Sequence, residues 1–242
     1  MKIFIATLNG GGTETLIRLA NSLKKHIYES PYNKHEFYWH ILIQGNKGCN
    51  LNLINNFVRF NDKIKIHYFS KNIGVVKGTN FLIDTFLKTN YDIFWIIDDD
   101  IELIDSDFYN LMIHELIFKQ TYKTCCTKSV WFGNKDIFNT KDIFITIPDH
   151  GAGCTMFVRD IFYKVGHYDP KIIQYGSDTD FNNRIKYVYG ENCLTVLNKD
   201  VTNHFNQTGT KNCYNAIEWN SIMRQDQLYL KNKRYTDKNI YL

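Results

Sequence analysis

No apolar run in this sequence approaches the roughly 18 residues that a membrane-spanning helix needs, so no transmembrane segment is expected. Cysteine pairing is also missing. Cys49, Cys125, Cys126, Cys154, Cys193 and Cys213 form no Cys-x-x-Cys pair and have no histidine at zinc-type spacing. They are expected to be reduced thiols, neither a disulfide framework nor a zinc site. Charge of one sign does not dominate: Lys plus Arg number 29 against 25 Asp plus Glu, a formal net charge of +4. The densest basic cluster, Lys231, Lys233 and Arg234, reads as a solvated tail, and no nucleic-acid partner is expected. The apolar run at residues 1–7 is too short for a signal-peptide core and breaks into Asn9-Gly10-Gly11-Gly12. A soluble, cytoplasmic protein is therefore the expectation. Internal repeats, low-complexity segments and obvious linkers are absent.

Apolar residues are plentiful. With 242 residues, 44% of them hydrophobic and 22% charged, the chain can bury one substantial core. Strand and helix signals alternate over the first hundred residues. Strand-type runs occupy 2–7, 36–43, 63–69 and 92–97, and helical spacing occupies 13–26 (Leu16, Leu19, Ala20, Leu23) and 76–87. That alternation predicts βα units and a mostly parallel sheet. The second half is less regular: strands at 123–131, 142–147, 154–158 and 193–197, a short helix at 159–165, a turn at 166–170, a helix opened by 178–184, and a closing helix at 214–230.

The strand at 92–97 ends in Asp98-Asp99-Asp100. In open α/β sheets, ligands gather just beyond the carboxyl ends of strands. Adjacent carboxylates are hard oxygen ligands suited to Mg²⁺ or Mn²⁺ against nucleotide phosphates. Acids decorating a helix start are the competing reading, since residues 101–107 lead toward a helix. Other predicted strands also end in polar residues, Thr7 and Asn9, Gln44 and Asn46, and Asn72. Polar ends collected on one edge are how such a fold builds a nucleotide pocket.

Three motifs occur in order: Asn72-Ile73-Gly74 with Gly78-Thr79-Asn80; Ile97-Asp98-Asp99-Asp100; and Val165-Gly166-His167-Tyr168-Asp169-Pro170 followed by Ser177 to Arg184. Together they resemble the family 2 inverting glycosyltransferases of the GT-A fold, over roughly residues 1–205. The resemblance implies a single α/β domain with a mostly parallel central sheet flanked by helices and a less regular acceptor-side half. A nucleotide-sugar-binding half would span 1–104, an acceptor and catalytic half 105–213, and a C-terminal helix and tail 214–242. Donor contacts would come from Thr7, Asn9, Gln44, Asn72, Lys77, Asn80, Asp98 and Asp99. Asp98, Asp100 and His204 would hold Mn²⁺ or Mg²⁺. Asp178 would be the base that deprotonates an acceptor hydroxyl on a glycan or glycoconjugate, although Asp178 and Asp180 also suit helix capping. His150, Trp131 and Asp180 are the acceptor-side candidates. Two departures from the family pattern stand out, Gln44 in place of an Asp and Ser177 in place of a Glu. Two alternatives remain at this stage, a sugar-phosphate nucleotidyltransferase, for which Asn9-Gly10-Gly11-Gly12-Thr13 would be the phosphate loop, and a binding module without turnover. Glu14 in that loop would repel a triphosphate.

Overall fold

A computed structural model of the protein describes residues 1–10, 12–45, 50–58, 60–130, 133, 135–205 and 216–233. Gly11, Asn46, Cys49, Trp131, Cys213 and Arg234 lie outside the described residues, and with them the acceptor role expected of Trp131. The donor half runs β1 (Lys2–Asn9), α1 (Thr13–Leu23), β2 (Glu36–Gln44), α2 (Leu51–Val58), β3 (Ile64–Phe69), α3 (Val75–Leu87) and β4 (Ile93–Ile97). Then follow β5 (Ile101–Leu103), α4 (Phe108–His114), β6 (Thr124–Thr127), β7 (Phe144–Thr146), β8 (Cys154–Val158), α5 (Asp160–Lys164), α6 (Ser177–Tyr189), β9 (Leu194–Leu197), β10 (Thr202–His204) and α7 (Ala216–Asn232).

Eight strands form one sheet in the order β3-β2-β1-β4-β8-β6-β9-β7. The first four pair in parallel, as the βα alternation requires, with Ile3 opposite Ile93 and Ala6 opposite Ile96 at the centre. All five residues of β4 are buried, which explains its continuous apolar run: a central strand covered on both faces has no solvent side. Beyond β4 the sheet becomes mixed. β8 is antiparallel to β4, with Ile97 opposite Cys154, so the loop entering β8 lies beside Asp98. β6 is antiparallel to β8 and parallel to β9. The segments leaving β6 and β9 therefore reach the same edge.

Aromatic rings fill the space between this sheet and α3, α5 and α6. Phe4 stacks on Phe94 at 5.6 Å between centroids, Phe94 meets Phe162 edge-on at 5.3 Å, and Phe181 stacks on Tyr168 at 4.4 Å. Aromatic pairs in these arrangements add packing energy beyond the area they bury.

Three local expectations are corrected. Residues 101–103 do not lead directly into a helix; Ile101 and Leu103 are buried with Glu102 between them, a period of two, and β5 pairs antiparallel with β10. His204, for which the sequence suggests a loop after the strand at 193–197, is consequently on a strand, opposite Ile101. The helix starts only at Phe108, where Asp105 Oδ1 accepts the N–H groups of Asp107 and Phe108. The strand expected at 123–131 stops at Thr127 and tightens into a 3₁₀ turn at Lys128–Val130. Helix α2 had no clear sequence signal, yet Asn50 caps it by accepting the N–H of Leu53 at 3.0 Å. Among the described residues, no helix is long and apolar enough to cross a membrane.

Candidate active site

Asp98 begins where β4 stops. Its N–H donates to Gly153 O at 2.7 Å, and its carboxylate lies over the Gly153 backbone, where a Cβ would sit 3.0 Å from Oδ2. Gly153 is thus required by the close approach of an acidic side chain, a role the sequence reading did not assign. The Asp98 carboxyl is pushed up to about 7, chiefly by burial and then by the charges of Asp100, Asp99 and Asp178.

Asp100 sits one strand position before β5. The β5–β10 ladder carries His204 to it, with Nε2 3.4 Å from Asp100 Oδ1. The hydrogen bond to Asp100 raises the His204 pKa against the effect of burial, and a backbone hydrogen bond to Ser129 raises it further. Carboxylate oxygens with one imidazole form a donor set that suits Mn²⁺. Among the described residues, however, no group of three or more His, Cys, Asp or Glu side chains is placed so that it could hold a metal ion.

Asp99 has a different occupation. Its Oδ2 accepts from Asn9 Nδ2 at 2.7 Å and from the Gly10 N–H at 2.9 Å. It ties down the glycine-rich turn, and Asn9 in addition donates to Gly12 O. Asp99 and Asn9, both expected at the donor, are thus engaged in fixing this turn. Thr7 is fully buried, with its hydroxyl accepting from Trp39 Nε1 at 2.9 Å, so it presents no side chain to a ligand. Asn80 exchanges two bonds with the Tyr168 backbone, both at 2.9 Å; it fastens α3 to the Gly166–Pro170 turn. Gln44 Oε1 accepts the Ile73 N–H at 3.0 Å, linking the end of β2 to the 70–74 loop. Asn72 and Lys77 are exposed on that loop and on the first turn of α3.

On the acceptor side, Asp178 is partly open to a cavity of about 580 Å³ lined by Gly133, Asp149, Gly151, Tyr175, Thr179 and Leu230 among others. Burial lifts its carboxyl to about 6, against a backbone hydrogen bond from Ala152 and helped by the charge of Asp149. Asp180 is fully buried and paired with Arg184 at 2.9 Å and Lys233 at 2.5 Å. It cannot meet an acceptor. His150 borders the cavity but spends its ring in the core, with Nε2 2.7 Å from the Thr124 hydroxyl and Nδ1 3.1 Å from Gly151 O. Burial lowers its pKa to about 4, so it is neutral at physiological pH. The sequence reading missed Asp149, whose carboxylate accepts from His150 N, Thr179 Oγ1 and Asn182 Nδ2. Its only sequence signal was an acid in a glycine-flanked loop.

No protein-family model matches the sequence, and no curated protein is significantly similar to it. Solved structures do match. The chain superposes on S. aureus TarS with a TM-score of 0.64 at 12% identity, covering 98% of this chain and 41% of that one. It superposes on GalNAc-T7 with UDP, GalNAc and Mn²⁺ at 0.64 and 13% identity, covering 84% and 43%. It also matches the mannosyltransferase PcManGT from Pyrobaculum calidifontis, in complex with GDP-Man and Mn²⁺, at 0.59 and 11% identity, covering 80% and 56%. The chain thus spans less than two thirds of these neighbours. At such identities the likeness establishes the fold: an α/β GT-A glycosyltransferase architecture.

Proposed function

We propose that the chain is a metal-dependent inverting glycosyltransferase, moving a sugar from a nucleotide-sugar to a hydroxyl of a glycan or glycoconjugate. One observation carries this reading: at the carboxyl end of β4 the His204 imidazole lies 3.4 Å from Asp100, and Asp98 is near enough to Asp100 and Asp178 for their charges to raise its carboxyl. Asp98, Asp100 and His204 would hold Mn²⁺ or Mg²⁺, since mutual repulsion among buried carboxylates is what a cation relieves. When bound, the ion neutralises charge developing on the departing diphosphate. Asp178 accepts the acceptor's hydroxyl proton as attack develops. A carboxyl raised to about 6 is a stronger base than an ordinary one and is still largely ionised at neutral pH. Gln44, Asn72 and Lys77 line the donor edge, and Asp149 with Tyr175 faces the acceptor. The ligands of the solved neighbours, UDP with GalNAc and Mn²⁺ and GDP-Man with Mn²⁺, support a nucleotide-sugar donor.

The nucleotidyltransferase alternative loses support at the glycine-rich turn. The Gly10 N–H is already given to Asp99, so a triphosphate there would meet a carboxylate instead of a free amide. The test is a hydrolysis screen of UDP-GlcNAc, UDP-GalNAc and GDP-mannose with and without Mn²⁺. Mn²⁺-dependent sugar release from at least one donor is expected. Failure to bind or cleave any of them at any Mn²⁺ concentration would overturn the proposal.

A further inference from the structure

Helix α7 meets the catalytic half through one face, at positions 226, 229, 230 and 233. This is the i, i+3, i+4, i+7 spacing of a helix stripe. Unlike most such stripes, it is largely polar. Asp226 is fully buried, and its carboxylate accepts three consecutive backbone N–H groups: Ile173 at 3.1 Å, Gln174 at 2.8 Å and Tyr175 at 2.8 Å. Three successive amides pointing at one spot have no partner in a helix or ladder, and only an anion with two oxygens satisfies them together. One turn on, the Tyr229 hydroxyl donates to Asp169 at 2.7 Å. Leu230 lies over Gly176, where a Cβ would come within 2.5 Å of its Cδ1. Gly176 has φ +74, so neither space nor backbone geometry there admits another residue easily. Lys233 closes the series, 2.6 Å from Asp169 and 2.5 Å from Asp180.

Three of these side chains grip one continuous stretch, while Tyr229 holds Asp169 just before it. Asp226 holds residues 173–175, Leu230 covers Gly176, and Lys233 holds Asp180. Asp178 stands between the last two grips, and Tyr175, Gly176, Asp178 and Thr179 are the wall of the 580 Å³ cavity to which Leu230 also contributes. We infer that α7 is a clamp on the acceptor wall and that Asp226 is a positioning residue for the Ile173–Asp178 segment, setting the geometry of Asp178 without touching substrate. A group displaced by about 1 Å can lose on the order of 10²-fold in rate, so a carboxylate that fixes three amides has a large effect on a base three to five residues away. The inference rests on the proposed role of Asp178.

The test uses the full chain carrying Asp226→Asn, in which an amide NH₂ replaces one accepting oxygen. The wild type is assayed first, for Mn²⁺-dependent hydrolysis of UDP-GlcNAc, UDP-GalNAc and GDP-mannose and for calorimetric binding of UDP and GDP. In the variant, kcat for hydrolysis should fall about 10- to 100-fold, while nucleotide affinity stays within about twofold and the binding stoichiometry is unchanged, because the donor half is untouched. A kcat equal to wild type would overturn the inference. So would a kcat loss matched by an equal loss of binding-competent molecules, since that is the signature of a merely structural residue. Should Asp226→Asn fold poorly, Leu230→Ala loosens the same wall without stranding a buried charge and should show a smaller drop of the same pattern. If the wild type cleaves no nucleotide-sugar, the glycosyl-transfer reading fails and hydrogen exchange decides the clamp by itself. Protection lost in residues 172–180 and retained in residues 2–9 and 93–97 supports it. Unchanged protection at 172–180, or loss spread over the sheet, overturns it.

Discussion

The two halves of this molecule are held together differently. The donor half is assembled by apolar burial: Phe4, Trp39, Phe86, Phe94 and Trp95 are all buried to within 1% of full exclusion from solvent. The acceptor half shares that apolar core, through Phe157, Phe162 and Phe181, and adds buried charge to it: Asp180 with Arg184, Lys233 with Asp169 and Asp180, and Asp226 with the amides of residues 173–175. Apolar packing is non-directional and tolerates small changes, so it suits a platform. Buried ion pairs bring little net stability but demand one geometry, which suits a wall that must hold a catalytic group in place. Asn80 joins the two regimes, reaching from α3 to the Tyr168 backbone.

The sharpest break in the comparison separates chemistry from structure at Asp178. Asp178→Asn should leave melting temperature and nucleotide affinity near wild type, because Asn has the same shape and Asp178 makes no side-chain cap bond at the start of α6. Transfer should nevertheless fall on the order of 10²- to 10⁴-fold, the usual contribution of a general base. Near wild-type transfer in a normally folded variant would remove Asp178 as the base; it is not the cap expected from the sequence either, because α6 starts at Ser177 with Gly176 at the cap position and no side-chain cap bond. Asp180 could not then take over the role, because both its oxygens are engaged in the buried network.

Next come paired substitutions in the two halves, read by urea unfolding. Lys233→Met keeps side-chain length but strands Asp169 and Asp180, at a cost of about 3–5 kcal/mol for a broken buried pair. Ile96→Val, in the middle of β4, should cost only about 0.5–1.5 kcal/mol. Equal losses would mean that the acceptor half is no more exacting than the donor half. Burial opposes the Lys233 ammonium, but its hydrogen bonds to Asp169 and Asp180 outweigh that and raise its pKa, so the group that is deleted is a charged one.

The same division explains what could be read in the sequence. The first four strands and the helices α1 and α3 were legible because parallel βα units leave strong periodic signals, and their ends moved by at most three residues. The aspartates after β4 were legible for the same reason, as an abrupt polar stop on an apolar run. The acceptor half was less so. Ile101 to Leu103 is too short to announce a strand, and its partner lies about a hundred residues away at Thr202–His204. Thr7, Asn9 and Asp99 were assigned to the donor by their position at strand ends, but position says nothing of Trp39 Nε1 or the Gly10 N–H, which occupy them. Asp226 left no sequence signal, since one acid in an exposed helix looks like any other until three amides are found pointing at it.

A smaller effect is expected at the metal candidates. His204→Ala should weaken Mn²⁺-dependent nucleotide binding about 10- to 100-fold, in the range seen when a metal site loses an orienting or ligating partner. Activity should recover partly at high Mn²⁺. Full activity at every Mn²⁺ concentration would show that His204 serves only to pair with Asp100. Calorimetry with UDP or GDP, at two Mn²⁺ concentrations, decides between them.

The gentlest probe is pH, which touches both halves without mutation. With the Asp178 carboxyl at about 6, the base is roughly one-tenth ionised at pH 5, so the rate should drop about tenfold from its plateau. Unfolding would imitate this drop, and the sign of each linkage says whether it intervenes. Asp98 at about 7 and Asp178 at about 6 are raised above their ordinary value of 3.8. Their folded forms take up protons before the unfolded chain does, so these two groups add stability as pH falls from 7 toward 4. His150 at about 4 and His40 at about 3, both lowered mainly by burial from 6.5, act in the opposite direction. They stay neutral in the fold, and their contribution, complete above 6.5, is lost as pH falls below it. His26, His35 and His67 are lowered by burial as well, while His204 is raised, so the losses outweigh the gains and the melting temperature should fall modestly between pH 7 and 5 while the rate falls tenfold. Measuring kcat and melting temperature in the same buffers checks this directly. A melting temperature that collapses in step with the rate would assign the acid limb to the histidines lowered by burial and remove it as support for Asp178.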